Sequence, residues 1–223
     1  MKVCTDACLF GAWVAAEMQN EKCKIENVLD IGGGTGLLSL MLAQKTPAQI
    51  DAVEIDEQAY LQAKENFHIS KWNSKLNIHH SSIQHFNLST DQHFNLIISN
   101  PPFFEQSLQG LDQRKNLAKH ANELTFEELA KIVLIRLKED GKFYILLPYQ
   151  EFQKFNSIAA ADRLYLSQQV NINQTENHDY FRTMGVFSKM PSDKIAQTSI
   201  SIKINNEYST GFVELLKDYY LYL

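Results

Sequence analysis

Apolar positions along the chain fall into two alternating kinds of pattern. Short apolar runs, NVLDI (Asn27–Ile31), QIDAVEI (Gln49–Ile55), LNIHH (Leu76–His80), FNLIISN (Phe94–Asn100) and GKFYILLP (Gly141–Pro148), read as strands. Between them lie stretches with helical spacing. Leu37–Lys45 carries apolar residues at Leu37, Leu38, Leu40, Met41 and Leu42, and Glu57–Ser70 follows the second strand. Phe126–Lys138 is opened by Thr125 with Glu128 three residues later, a capping-box pattern. A further helical stretch, Cys8–Gln19, precedes the first strand. Beyond Pro148 the pattern predicts a helix at Tyr149–Ala161, strands at Arg163–Asn173, Phe181–Met190 and Gln197–Asn205, and an aromatic-rich closing helix at Gly211–Tyr222.

Strand–helix alternation through Pro148 implies an α/β fold, a doubly wound and mostly parallel sheet with right-handed crossovers. No repeat, low-complexity tract or linker interrupts it, so one domain over 1–223 is expected. In such sheets ligands bind beyond the carboxyl ends of the strands. The unusual motifs of this chain all fall there.

Composition narrows the picture a little. The chain has 223 residues, 44% hydrophobic and 21% charged, with no apolar run near the ~20 residues of a membrane span. The start, MKVCTDACLFGAW, lacks the basic-then-apolar layout of a secretory signal. Cys4, Cys8 and Cys23 cannot build a disulfide framework and read as reduced thiols of a cytoplasmic protein. Net charge of −5 argues against a broad nucleic-acid-coating surface while leaving room for a local basic patch. His79, His80, His85 and His93 have no cysteine or carboxylate pattern around them, so no metal is expected.

The first motif is DIGGGTG, Asp30 to Gly36. Gly32, Gly34 and Gly36 form G-x-G-x-G, and Leu37 breaks the dinucleotide pattern G-x-G-x-x-G. Glycines here permit positive φ and close approach of a ligand to the backbone. The free N–H groups of the helix that follows attract an electronegative group. Glu54 ends the next strand, where a carboxylate is placed to bind both hydroxyls of a ribose. A dinucleotide and S-adenosylmethionine both suit this arrangement. D-x-G-x-G-x-G resembles the motif of the class I S-adenosylmethionine-dependent methyltransferases.

The fourth strand ends in Asn100-Pro101-Pro102-Phe103, then Phe104. Consecutive prolines remove two backbone donors and stiffen the turn. The run resembles the [DNS]-P-P-[YFW] motif of methyltransferases acting on planar nitrogens. An exocyclic amine or amide nitrogen is a poor nucleophile because its lone pair is delocalised. The Asn100 side-chain oxygen and the Pro101 carbonyl can accept its two hydrogens, and rigid prolines help hold those acceptors in place. Phe103 offers a face to a flipped base.

Three substrate classes share this motif: amino groups of DNA bases, amino groups of RNA bases, and glutamine amides in proteins. DNA enzymes usually carry a recognition domain for which this chain has no room. Release-factor glutamine methyltransferases have NPPY and a helical amino-terminal domain, absent here. Guanine-N2 ribosomal RNA enzymes often continue NPPFH-x-G, where this chain has NPPFF-x-Q.

Nearly the whole chain resembles the bacterial tRNA(Val) adenine-N6 methyltransferases. MKVCTDACLFGAW (Met1–Trp13) is similar to their MKVGTDGxLLGAW, LDIGGGTGLLSLMLAQ (Leu29–Gln44) to their LDIGxGxGLLxLMLAQ, and YSTGFVELLKDYYLYL (Tyr208–Leu223) to their closing EF-x-x-L-x-K-x-F/Y-YL. The resemblance implies a seven-stranded Rossmann-like methyltransferase sheet with an antiparallel strand near the C-terminal end. It also implies S-adenosylmethionine as cofactor and methyl transfer to the adenosine next to the anticodon of tRNA(Val), in the cytoplasm, by a monomer without metal. Thr5 and Asp6 would help close the cofactor pocket, and Lys2 would lie near the substrate mouth. Members usually have residues ahead of this methionine, which leaves open a segment before Met1. Ser82, in HHSSI, stands where many relatives have an Asp that contacts the cofactor's adenine amine.

Arg114, Lys115, Lys119 and His120 follow the Pro-Pro turn closely and read either as phosphate contacts or as a solvated loop or helix face. Arg182-Thr183 reads either as reaching the active-site rim or as strand packing. Tyr219, Tyr220 and Tyr222 read as core and surface aromatics of the closing helix. A glutamine-amide protein methyltransferase, another RNA base amino-methyltransferase and a non-catalytic cofactor-binding module are the alternatives.

Overall fold

The structure, a computed structural model, describes residues 4–20, 24–86, 92–102 and 124–222. Among them lie helices α1 (Thr5–Asn20), α2 (Leu37–Ala43), α3 (Glu57–Ile69), α4 (Phe126–Arg136), α5 (Tyr149–Ala161) and α6 (Thr210–Leu216). The strands are β1 (Asn27–Ile31), β2 (Gln49–Glu54), β3 (Leu76–His80), β4 (Phe94–Ser99), β5 (Leu137–Pro148), β6 (Tyr165–Thr175), β7 (Tyr180–Ser188), β8 (Ala196–Ile204) and β9 (Glu207–Tyr208). They form one sheet in the order β3-β2-β1-β4-β5-β7-β6-β8-β9.

The first five strands run parallel. β7 enters antiparallel between β5 and β6, as expected of the carboxyl-terminal part of the sheet. The expected count of seven strands is corrected to nine among the described residues. β8 extends the sheet by pairing parallel to β6, and two-residue β9 caps it.

The central strands are apolar on both sides because both sides are covered. On one face Leu9, Phe10 and Val14 of α1 pack with Leu42 of α2, Phe67 of α3, Phe212 of α6, and Tyr144 and Met184 of the sheet. On the other, Leu129 and Val133 of α4 and Phe152 and Phe155 of α5 pack on Leu29, Ile97, Phe143 and Phe187. At the amino ends, Asn27 and Asn95 exchange hydrogen bonds: each backbone N–H donates to the other's Oδ1, at 3.3 and 3.0 Å. That exchange fixes the register of β1 against β4 and therefore which residues reach their carboxyl ends together.

Of the boundaries that differ from the periodicity, two have a clear physical cause. The stretch expected to remain helical to Lys138 leaves the helix at Arg136, and Leu137 already pairs with Phe94. Pairing then jumps to Leu96 with Lys142, a bulge that lets fully buried Leu137 join the core. The closing helix ends at Leu216 rather than Tyr222. Tyr219 and Tyr220 turn back, both donating backbone N–H to Leu216 O, and the Tyr219 hydroxyl donates to Met41 O at 3.3 Å. Partly buried anchorage of these rings wins over continued helix, while Tyr222 lies 92% exposed. The capping box is present: Thr125 Oγ1 accepts from Glu128 N–H at 3.2 Å, and Glu128 Oε2 accepts from Thr125 N–H at 2.9 Å.

Candidate active site

The register aligns Ile31 with Val53 on one side and with Ser99 on the other. Gly32, Glu54 and Asn100 therefore emerge side by side at three neighbouring carboxyl ends. Backbone and hydroxyl bonds tie these ends together. Gly32 and Gly33 donate N–H to Val53 O at 2.9 and 3.0 Å, and Ser99 Oγ donates to Ile31 O at 2.9 Å. Ser81 N–H donates to Glu54 O at 3.0 Å, which draws in the end of β3.

The glycines do separate jobs. Gly36 has φ of 86° and caps α2; a Cβ there would lie 2.4 Å from Cε1 of Phe67, so only glycine fits. Gly32 has φ of 76°, is exposed, and a Cβ there would meet nothing within 4 Å. The space above Gly32 is open to a ligand.

Two carboxylates lie against that turn. Glu54 Oε2 accepts from Gly34 N–H at 2.7 Å and Oε1 from Asp56 N–H at 2.7 Å. The second bond leaves Asp56 free to cap α3, its Oδ1 accepting from Ala59 N–H at 2.8 Å. Each Glu54 oxygen keeps a lone pair for a further donor. Asp30 is fully buried at the end of β1. Its Oδ2 accepts from Ser39 Oγ at 2.7 Å, and its Oδ1 is buried without a protein partner. Burial pushes the Asp30 carboxyl up to about 6; hydrogen bonds from Ser39 oppose this and the Glu54 charge adds to it.

Of the other residues singled out in sequence, Asn100 and Pro101 are half-buried beyond β4, and Pro102 is exposed. Ser82 lies one residue past the tie to Glu54, with Oγ 2.8 Å from His85 Nδ1. Thr5 opens α1 and is exposed. Asp6 is engaged within the protein: Oδ1 accepts from Ala7 N–H at 3.0 Å and Oδ2 from Arg182 Nε at 2.9 Å. Lys2, Phe103, Phe104, Arg114, Lys115, Lys119 and His120 lie outside the described residues. Sequence reasoning did not single out Ser39, Ser99 or Asp56. Ser39 left a trace, as the one hydroxyl within the apolar helix LLSLMLA.

The donor set fits S-adenosylmethionine. A glycine-lined floor admits a ligand close to the backbone, Glu54 can accept from ribose hydroxyls, and the unpartnered Asp30 Oδ1 offers a buried acceptor to a donor. Among the described residues no cluster of three or more His, Cys, Asp or Glu could hold a metal ion, and no helix is long and apolar enough to cross a membrane.

Comparison with known proteins agrees with this geometry. The family model of the methyltransferase small domain matches residues 11–165. A tRNA1(Val) (adenine(37)-N6)-methyltransferase of Dyadobacter fermentans is 40% identical over 226 residues, covering 99% of this chain and 91% of that protein. Its namesake in Cytophaga hutchinsonii is 38% identical over 100% of this chain and 92% of that one. One in Haemophilus influenzae is 37% identical over 99% and 92%. Among solved structures, a predicted O-methyltransferase of Agrobacterium tumefaciens superposes with TM-score 0.69 over 95% of both chains at 14% identity. An S-adenosylmethionine-dependent methyltransferase of Clostridium acetobutylicum does so with TM-score 0.58 over 81% of this chain and 90% of that one, at 13% identity. At such identities these two speak to the fold. With the family model and the full-length relatives in agreement, the chain belongs to the methyltransferase small domain family, in the group of the tRNA1(Val) (adenine(37)-N6)-methyltransferases.

Proposed function

We propose that this chain methylates N6 of an adenine in tRNA, the adenosine next to the anticodon of tRNA(Val), with S-adenosylmethionine as methyl donor. The observation that carries the reading is the register of β1 between β2 and β4. It sets the Asp30–Gly36 turn and Glu54 beside the Asn100-Pro101-Pro102 turn.

Bound over the glycine turn, S-adenosylmethionine supplies an electrophilic methyl group on a sulfonium. Glu54 holds the ribose hydroxyls, Asp30 accepts from a donor of the cofactor, and Thr5, Asp6 and Ser82 complete the pocket. Asn100 Oδ1 and the Pro101 carbonyl accept the two N6 hydrogens and turn the nitrogen lone pair towards the methyl group. With the cofactor bound, transfer would form a carbon–nitrogen bond as the carbon–sulfur bond broke, leaving the neutral thioether S-adenosylhomocysteine, and N6 would then release a proton to water. The proton leaves after transfer, so no strong general base is required. Phe103 is assigned to base stacking, Lys2 and Phe104 to the substrate mouth, and Arg114, Lys115, Lys119 and His120 to phosphate contact, on sequence alone. The working form is a cytoplasmic monomer in a single domain, without metal.

The test is methyl transfer from labelled S-adenosylmethionine to total tRNA of a strain lacking this gene, followed by nucleoside digestion. Label is expected in N6-methyladenosine. In Asn100→Ala it should fall by about 100-fold, because the amine is no longer held for attack. Label in another nucleoside, or in protein alone, would sink the reading; the second would point to glutamine amides.

A further inference from the structure

The amino end of α1 is gripped from two sides by residues remote in sequence. Arg182 Nε donates to Asp6 Oδ2 across a separation of 176 residues, with the two side chains only 26% and 18% exposed. The guanidinium lies 5.6 Å from the Phe181 ring centroid and donates Nη1 to Phe181 O at 3.2 Å. On the other side half-buried Tyr220 packs against the core that α1 helps to build, its hydroxyl close to the side chains of Thr5 and Cys8. Lys45 and Asp218, paired at 2.5 Å, fasten that closing turn to the end of α2.

This grip sits at the functional end of the sheet. Arg182 lies opposite Pro148, the last residue of β5, and β5 adjoins β4, which leads into the Asn-Pro-Pro turn. α1 and α2 both run away from the carboxyl ends of the strands. Gly11 of α1 abuts Leu38 and Met41 of α2. Thr5 and Asp6, about 8–9 Å up the helix from Gly11, lie towards the carboxyl ends of the strands, on the side from which α2 starts. Stability alone is a weak reason for a largely buried ion pair, since desolvation cancels much of its attraction.

We infer that Arg182 is a positioning residue for cofactor binding: with Tyr220 it fixes Thr5 and Asp6 against the glycine turn, so that the amino-terminal wall of the pocket is preformed. The inference rests on the proposed reading of that pocket, and acts through Asp6 rather than on the reacting atoms.

Calorimetric titration of S-adenosylmethionine into the full chain tests it without needing any methyl acceptor. Arg182→Ala is expected to weaken binding about tenfold, as loss of a preformed wall would. Arg182→Lys should recover part of this, since it keeps the charge and loses the planar fork. The exchanged pair Asp6→Arg with Arg182→Asp should recover more than either single change. Tyr220→Phe, which removes only a hydroxyl, should weaken binding in the same direction and serves if Arg182→Ala does not fold. Unchanged affinity in folded variants that merely melt earlier would overturn the inference and leave the grip a structural brace. Absence of binding by the unmodified chain would overturn the reading of the pocket and the inference with it.

Discussion

Gly34 donates its backbone N–H to Oε2 of Glu54 at 2.7 Å, joining the turn after β1 to the end of β2. The same carboxylate also receives the Asp56 N–H that leads into α3. Glu54→Gln keeps the shape but presents an amide N–H to one of these donors. Hydrogen bonds to a charged group contribute about 1.5–3 kcal/mol. Cofactor affinity is expected to drop by at least about tenfold, a difference of ~1.4 kcal/mol. Calorimetric titration reads this directly, and unchanged affinity would remove Glu54 from the pocket.

Burial of Asp30 gives the fold a pH dependence whose sign follows from the direction of the shift. Its carboxyl is raised from 3.8 to about 6 in the folded chain, chiefly by burial. The folded state therefore holds its proton where the unfolded state has released it. This contribution is fully present below 3.8, declines as pH rises, and is lost above about 6. The amplitude is about 3 kcal/mol at ~1.36 kcal/mol per pH unit. Asp30→Asn should melt higher than the unmodified chain at pH 7, with the gap closing as pH falls from 6 towards 4. A gap independent of pH would show that Asp30 is not the titrating group.

Gly36 and Gly32 share a positive φ and differ in surroundings. Gly32→Ala pays backbone strain alone, about 1 kcal/mol. Gly36→Ala adds a clash with Phe67, so its cost should reach about 3 kcal/mol. Pairing Gly36→Ala with Phe67→Leu should return part of the loss in urea denaturation, and equal costs at the two glycines would refute the contrast.

Thr125→Ala serves as a control remote from the pocket. It removes the acceptor for Glu128 N–H at the start of α4 and should cost about 1 kcal/mol. Cofactor affinity should not move; a change there would mean that α4 communicates with the site.

The parallel half of the fold was legible because strands buried on both faces, such as Val28–Ile31, leave an apolar run that few other structures tolerate. Asp30, Glu54 and the Asn-Pro-Pro turn were legible for a related reason: each ends such a run. The carboxyl-terminal half was less so. Nothing local in Arg163–Asn205 dictates that β7 should lie between β5 and β6, because that order is settled by long-range packing such as Phe187 against Phe143 and Phe155. The closing tyrosines were assigned to a helix because local spacing cannot show that Tyr219 finds Met41. The Asp30–Ser39 bond and the Asp6–Arg182 pair were invisible for the same reason, being contacts between elements.

The grip on α1 also bears on how the chain is made. Thr5 and Asp6 leave the ribosome long before Arg182 and Tyr220, with 176 residues between Asp6 and Arg182. Pairings this distant in sequence are slow to form and come late in folding. The glycine turn and the first parallel strands can gather while synthesis continues, but one wall of the pocket must wait until Arg182 and Tyr220 have emerged. A nascent chain that has not yet exposed Arg182 and Tyr220 should thus hold cofactor poorly, and competence should arrive only once both can reach α1.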